Sequence, residues 1–138
     1  LKQSFWKRRR ESGQSLVETA ITLPLVLLLI CGMLEMGWLA STRQMMDTIT
    51  REATRAGIVA ATKTASTTAV NNKVASAKPS YMTNPLTVTV TYSNPTSFKD
   101  GNLTVTTEYY LPTLTPLTAF LAPGGTYHIT ATSTMKVG

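Results

Sequence analysis

Two residue types on which much protein chemistry depends are nearly missing. The chain holds one cysteine, Cys31, and one histidine, His128. A lone cysteine excludes an internal disulfide, and its place in an apolar run marks a small packing residue. A lone histidine with no Cys or Asp pattern nearby supplies neither a metal cluster nor a nucleophile with a base and an orienting partner. His128 therefore reads as an outward-facing strand residue beside Tyr127. No Gly-rich phosphate loop occurs, and Gly124-Gly125 reads as a turn. These scarcities argue against an enzyme and give no reason to expect a cofactor. Asn102-Leu103-Thr104 is a formal glycosylation sequon, weak when it stands alone.

Acidic residues are also few, seven against 13 Lys and Arg, for a net charge of +6. The excess is not spread along the chain. Lys2, Lys7, Arg8, Arg9 and Arg10 lie upstream of Gly13, with Glu11 the one acid there. Without residues 1–13, eight cations face six acids, a net charge of +2. The basic character belongs mainly to a leader. That makes it a topology signal and argues against a nucleic-acid partner.

What the chain has in abundance follows directly. Leu16 to Ala40 is an apolar run in which only Glu18 and Glu35 are charged, with Leu25-Val26-Leu27-Leu28-Leu29-Ile30 near its centre. About 20 such residues span a hydrocarbon core. The cations of Lys7 to Arg10 should stay cytoplasmic, placing the N-terminus in and the C-terminus out. A conventional signal-peptide cut after Ala40 would put Trp38 where a small residue is wanted. Gly13 lies at the charge boundary and Glu18 five residues later, which suggests a precursor cut after Gly13 with Glu18 kept for a specific partner. Glu18 has two open readings. It snorkels into the headgroups, or it pairs with a cation such as the new α-amino group at Gln14. Glu35 reads as an interfacial residue where the helix leaves the membrane. Pro24 lacks an N–H and should kink or locally unwind the helix.

Beyond Ser41 the pattern becomes amphipathic to about Lys63, with Met45, Ile49, Ala53, Ala56 and Ala60 on one face. Asp47, Arg51 and Arg55 form a charged ladder on another, read as a solvated face with one or two weak ion pairs. A continuous helix from Leu16 to Lys63 would be about 70 Å long. A second helix is expected over Thr68 to Ala77, stopped by Pro79. The period then changes to two. Strands are expected over Leu86 to Tyr92, over Leu103 to Tyr109 and over Tyr127 to Val137. Asn94-Pro95 and Asp100-Gly101 mark the first turn region, and Pro112, Pro116 and Pro123 bracket a loop with one helical turn. A sheet with one apolar face needs a cover, which the amphipathic helix can supply. The expected architecture is α+β. It comprises a basic leader (1–13), a transmembrane helix (14–40), a stalk helix (41–63) and a small exported α+β domain (64–138).

These residues resemble the TadE-like pseudopilins of the tight-adherence (Tad, type IVc) pilus. The likeness rests on Gly13-Gln14-Ser15-Leu16-Val17-Glu18-Thr19-Ala20, Leu23-Pro24-Leu25, Glu35-Met36-Gly37-Trp38 and Arg51-Glu52-Ala53-Thr54-Arg55-Ala56-Gly57. It implies a pilin-like fold and cleavage by a prepilin peptidase between Gly13 and Gln14. It also implies that Glu18 serves recognition and docking through the neighbouring N-terminal amine. Gln14 departs from the Phe or Met that opens many type IV pilins, and Thr54 replaces an alanine. The chain exceeds the short major pilins in length, which favours a minor pilin. The implied partners are the peptidase, other pilin subunits, the Tad assembly platform and the inner membrane before assembly. The implied end point is an extracellular pilus or the cell surface. The competing reading is an uncleaved, single-pass membrane-anchored adhesin or envelope scaffold.

Overall fold

A computed structural model of the protein describes residues 3–116, 118–119 and 122–138, with side chains from position 13 onward. The basic cluster Lys7 to Arg10 and part of the Pro116–Pro123 loop lie outside the described side chains. Helix α1 covers Gln3–Ile58, and α2 covers Lys63–Ala77. Strands β1 (Thr87–Tyr92), β2 (Asn102–Pro112) and β3 (Thr126–Lys136) follow, with a short 3-10 turn at Pro123–Gly125 before β3. The turn expected at Gly124-Gly125 is present, and both glycines adopt φ near +70°, a conformation other residues rarely tolerate.

Helix α1 is about 84 Å long at the standard rise. It is helical throughout, so Pro24 produces no local unwinding. It ends at Ile58, five residues short of the expected Lys63, and α2 begins at Lys63 rather than Thr68. Gly57 lies in the last turn of α1, where a Cβ would stand 2.5 Å from Leu103 Cδ2 and 2.8 Å from Val70 Cγ2. Glycine there lets α2 and β2 approach the end of α1 this closely. Thr62 then caps the new helix by accepting a hydrogen bond from the Ala65 N–H at 3.2 Å. The Lys78 N–H closes the other end on the Val74 carbonyl, and Pro79 prevents continuation.

The three strands form one antiparallel sheet in the order β1-β2-β3. Leu103, Val105, Thr107, Tyr109 and Leu111 alternate inward along β2, with Ile129 and Ala131 beside them on β3. The outer face carries facing threonines, with Thr104 bonded to Thr134 at 2.9 Å and Thr106 to Thr132 at 3.2 Å. His128 faces outward as expected, stacked on Tyr110 and 3.5 Å from the Glu108 carboxylate.

Helix α1 covers the inner face, but not with all the residues expected. Met46 is fully buried, whereas Met45 is exposed and Ala56 and Ala60 are half-buried. Thr42, Thr50 and Thr54 complete the contact face. Each donates its hydroxyl to the carbonyl four residues earlier, so burial leaves none of these three hydroxyls unpaired. The Thr50 hydroxyl also meets that of Thr107 at 2.6 Å across the helix–sheet interface. The ladder of Asp47, Arg51 and Arg55 is solvated as expected, but forms no ion pair among the described residues. Glu52 instead pairs with Lys73 of α2 at 3.1 Å, joining the two helices.

Candidate functional site

The N-terminal part of α1 projects without cover. Its large apolar side chains from Leu16 to Met36 range from 42% exposed at Val26 to 72% at Ile21. Leaving this much apolar surface in water is unfavourable by roughly 25 cal/mol per Å². The helix is long and apolar enough to cross a membrane. The candidate site is this arm and the groups at its two ends.

At the first end, Gly13, Gln14 and Glu18 are all exposed on one continuous helix. Glu18 lies about 6 Å along the axis from Gln14. Its carbonyl accepts a hydrogen bond from the Thr22 hydroxyl at 2.7 Å, and the Thr19 hydroxyl donates to Ser15 in the same way. These threonines satisfy themselves and remain compatible with lipid. The Glu18 carboxylate has no partner among the described residues. Pro24 falls within the bare arm, with its neighbours Leu23 and Leu25 exposed.

At the other end stands Glu35, read from the sequence as interfacial. It is only 3% exposed, a burial that reading did not include. Its Oε1 accepts from the Leu114 N–H at 3.0 Å, and Oε2 accepts from the Thr115 N–H at 3.2 Å and the Thr115 hydroxyl at 3.4 Å. Helix α1 thus grips the β2–β3 loop through one carboxylate. Thr115 also bonds Thr118, which tightens the turn. Sequence reasoning had no local signal for this contact, because the partners lie 79 and 80 residues downstream. The uncharged stretch 109–127 was the one available hint. One turn beyond Glu35, Trp38 packs against Tyr81, with ring centroids 5.2 Å apart.

Fold and site together define an α+β protein carried on one long, bare N-terminal helix. Residues 13–55 match the family model described as TadE-like protein. The match begins at the proposed cleavage glycine and ends within the buried half of α1, covering under a third of the chain. Over these residues the chain is similar to TadE-like proteins, and the likeness suggests a component of the Tad pilus. No curated protein and no solved structure matches the chain. The apolar helix and the family together suggest membrane anchoring and interaction with other pilus components.

Proposed function

We propose that the protein is a structural minor pilin of a bacterial Tad pilus, non-enzymatic and cut by a prepilin peptidase between Gly13 and Gln14. The observation that carries this reading is the bare arm from Leu16 to Met36, led by a Glu18 carboxylate with no partner among the described residues. Before assembly the inner membrane covers the arm. After assembly the arms of neighbouring subunits cover it. Extraction from lipid then leaves the hydrophobic burial in place and gives Glu18 a partner, the Gln14 amine. A carboxylate within the first turns of a helix is also favoured by the N-terminal dipole. The exported sheet domain remains outside and contributes to pilus assembly, initiation or tip structure, and hence to surface adhesion.

The test is the N-terminus of the native protein. Sequencing should return Gln14 in cells with the peptidase and an intact leader in cells without it. Gly13→Leu should give the intact leader in both. An intact leader in native, peptidase-positive cells would establish the uncleaved anchored form and end the pilin reading.

A further inference from the structure

Glu35 lies 21 residues beyond Gln14 on one helix, which is about 32 Å at the standard rise. A hydrocarbon core is about 30 Å thick. If the arm crosses a membrane from Gln14, Glu35 stands at the outer edge of the lipid. This is the level at which the carboxylate holds the β2–β3 loop. Its grip on two backbone N–H groups draws the exported domain down to that edge.

The lower rim of the domain has the composition of an interfacial surface. Leu114 is 52% exposed and lies on the bonded loop. Between Glu108 and His128 the sequence holds no Asp, Glu, Lys or Arg. Tyr81, 42% exposed, stands against Trp38 at the same level of α1. Trp and Tyr favour the headgroup layer because their apolar rings carry one polar group. Glu35 itself would be costly there, and its three donors remove that cost by replacing water. Met33 and Met36, within one turn of Glu35 on the arm, are also exposed.

We infer that this rim, Leu114 with Trp38 and Tyr81, rests in the outer headgroup layer of the membrane that α1 crosses. Lipid is its partner before assembly, and Glu35 is the positioning residue that sets its height. The inference rests on the membrane-spanning reading of the arm. It gives the exported domain a fixed tilt on the membrane, with the outer threonine face of the sheet kept in water.

Spin-label accessibility in the full chain tests this. Single labels are placed by Leu114→Cys, Leu27→Cys and Thr134→Cys in a Cys31→Ser background. The protein is reconstituted at low density in phosphatidylethanolamine–phosphatidylglycerol vesicles. Oxygen accessibility relative to a water-soluble paramagnetic chelate should be highest at position 27, intermediate at 114 and lowest at 134. Adding Glu35→Ala should move the 114 label toward the aqueous value. A 114 label as aqueous as 134, with 27 in lipid, overturns the rim contact and leaves the span intact. An aqueous label at 27 overturns the span and the rim with it. A 114 label shielded only at high protein density assigns the rim to a second copy and overturns the lipid assignment. A 114 label in the interface but unmoved by Glu35→Ala overturns the positioning role of Glu35.

Discussion

Replacing Glu35 by alanine should open the β2–β3 loop while leaving the rest of the fold in place. The carboxylate is the acceptor for the Leu114 and Thr115 N–H groups. A hydrogen bond to a charged group contributes about 1.5–3 kcal/mol, and a buried donor left unpaired costs about 1–3 kcal/mol. The loop is partly exposed, so water would replace some of what is lost. The lower end therefore applies, about 2 kcal/mol in total for the two N–H groups. At 1.4 kcal/mol per factor of ten, this is roughly a 30-fold change in the opening equilibrium. Native-state amide exchange reads it residue by residue. The Leu114 and Thr115 amides should exchange roughly 30-fold faster in Glu35→Ala than in the wild type. Amides in the β2–β3 ladder, such as Val105, should keep their protection. Glu35→Gln retains one acceptor oxygen and should fall between the two. Equal exchange at Leu114 and Thr115 in wild type and Glu35→Ala would refute the account of Glu35 as the loop's anchor.

Other sites give independent tests. Gly57→Ala forces a methyl group to within 2.5 Å of Leu103 Cδ2. Overpacking of about 1–3 kcal/mol outweighs the helix-propensity gain of up to about 1 kcal/mol, so the denaturation midpoint should fall. Ser66→Ala at the same crossing removes a buried hydroxyl without a partner, and the midpoint should hold or rise; opposite signs at both positions would show that the crossing is packed differently. Glu18→Ala should leave membrane insertion intact, as judged by carbonate-resistant fractionation, and reduce sheared pilus protein. Normal piliation would remove the docking role. Burial pushes the Tyr109 phenol above its ordinary value of 10.0, with the Asn84 backbone acting against it. The unfolded chain ionises first, so stability from this group is complete below pH 10 and is lost as pH rises through the folded value. Urea midpoints at pH 9 and pH 11 should therefore differ less in Tyr109→Phe than in the wild type; an unchanged difference would show that Tyr109 does not contribute.

The α+β architecture was legible because its signals are local and periodic. Thr87 to Tyr92 alternates without interruption, and its partner strands repeat the pattern with turn residues between them. The apolar arm declared itself by length alone. The end of α1 was not legible, because Val59-Ala60-Ala61 favours continued helix. What the sequence does not display at that point is the close tertiary approach of Leu103 and Val70 to Gly57 in the last turn. The inner face of α1 was misread for a related reason. Threonine counts as polar in a periodicity argument, yet Thr42, Thr50 and Thr54 are buried because each hydroxyl already has a backbone acceptor. Met46 was passed over for Met45 on that flawed face. At the site, Gly13, Gln14, Glu18 and Pro24 were singled out from charge and backbone chemistry, which a linear sequence displays. The grip of Glu35 on the loop is a tertiary pairing and leaves no such trace.

Glu18 and Glu35 show how one residue type is put to opposite uses on one helix. They bracket the bare arm, about 25 Å apart along the axis. At Glu35 the domain supplies three donors, so the carboxylate is satisfied within the chain and adds nothing to docking. At Glu18 no such donors reach the carboxylate among the described residues. An ionised carboxylate near lipid costs a few kcal/mol unless it is paired, and that cost falls only when a donor arrives from outside the present arrangement. Between them lie only apolar or self-satisfied side chains, with no directional preference for one neighbour over another. Lipid and packed helices serve them almost equally well. The driving force that favours subunit packing over lipid therefore has to come from the ends of the arm, and Glu18 is the end left unsatisfied. This is why Glu18→Ala should separate insertion from assembly, whereas Glu35→Ala should disturb the height of the domain and leave the arm's capacity to pack unchanged.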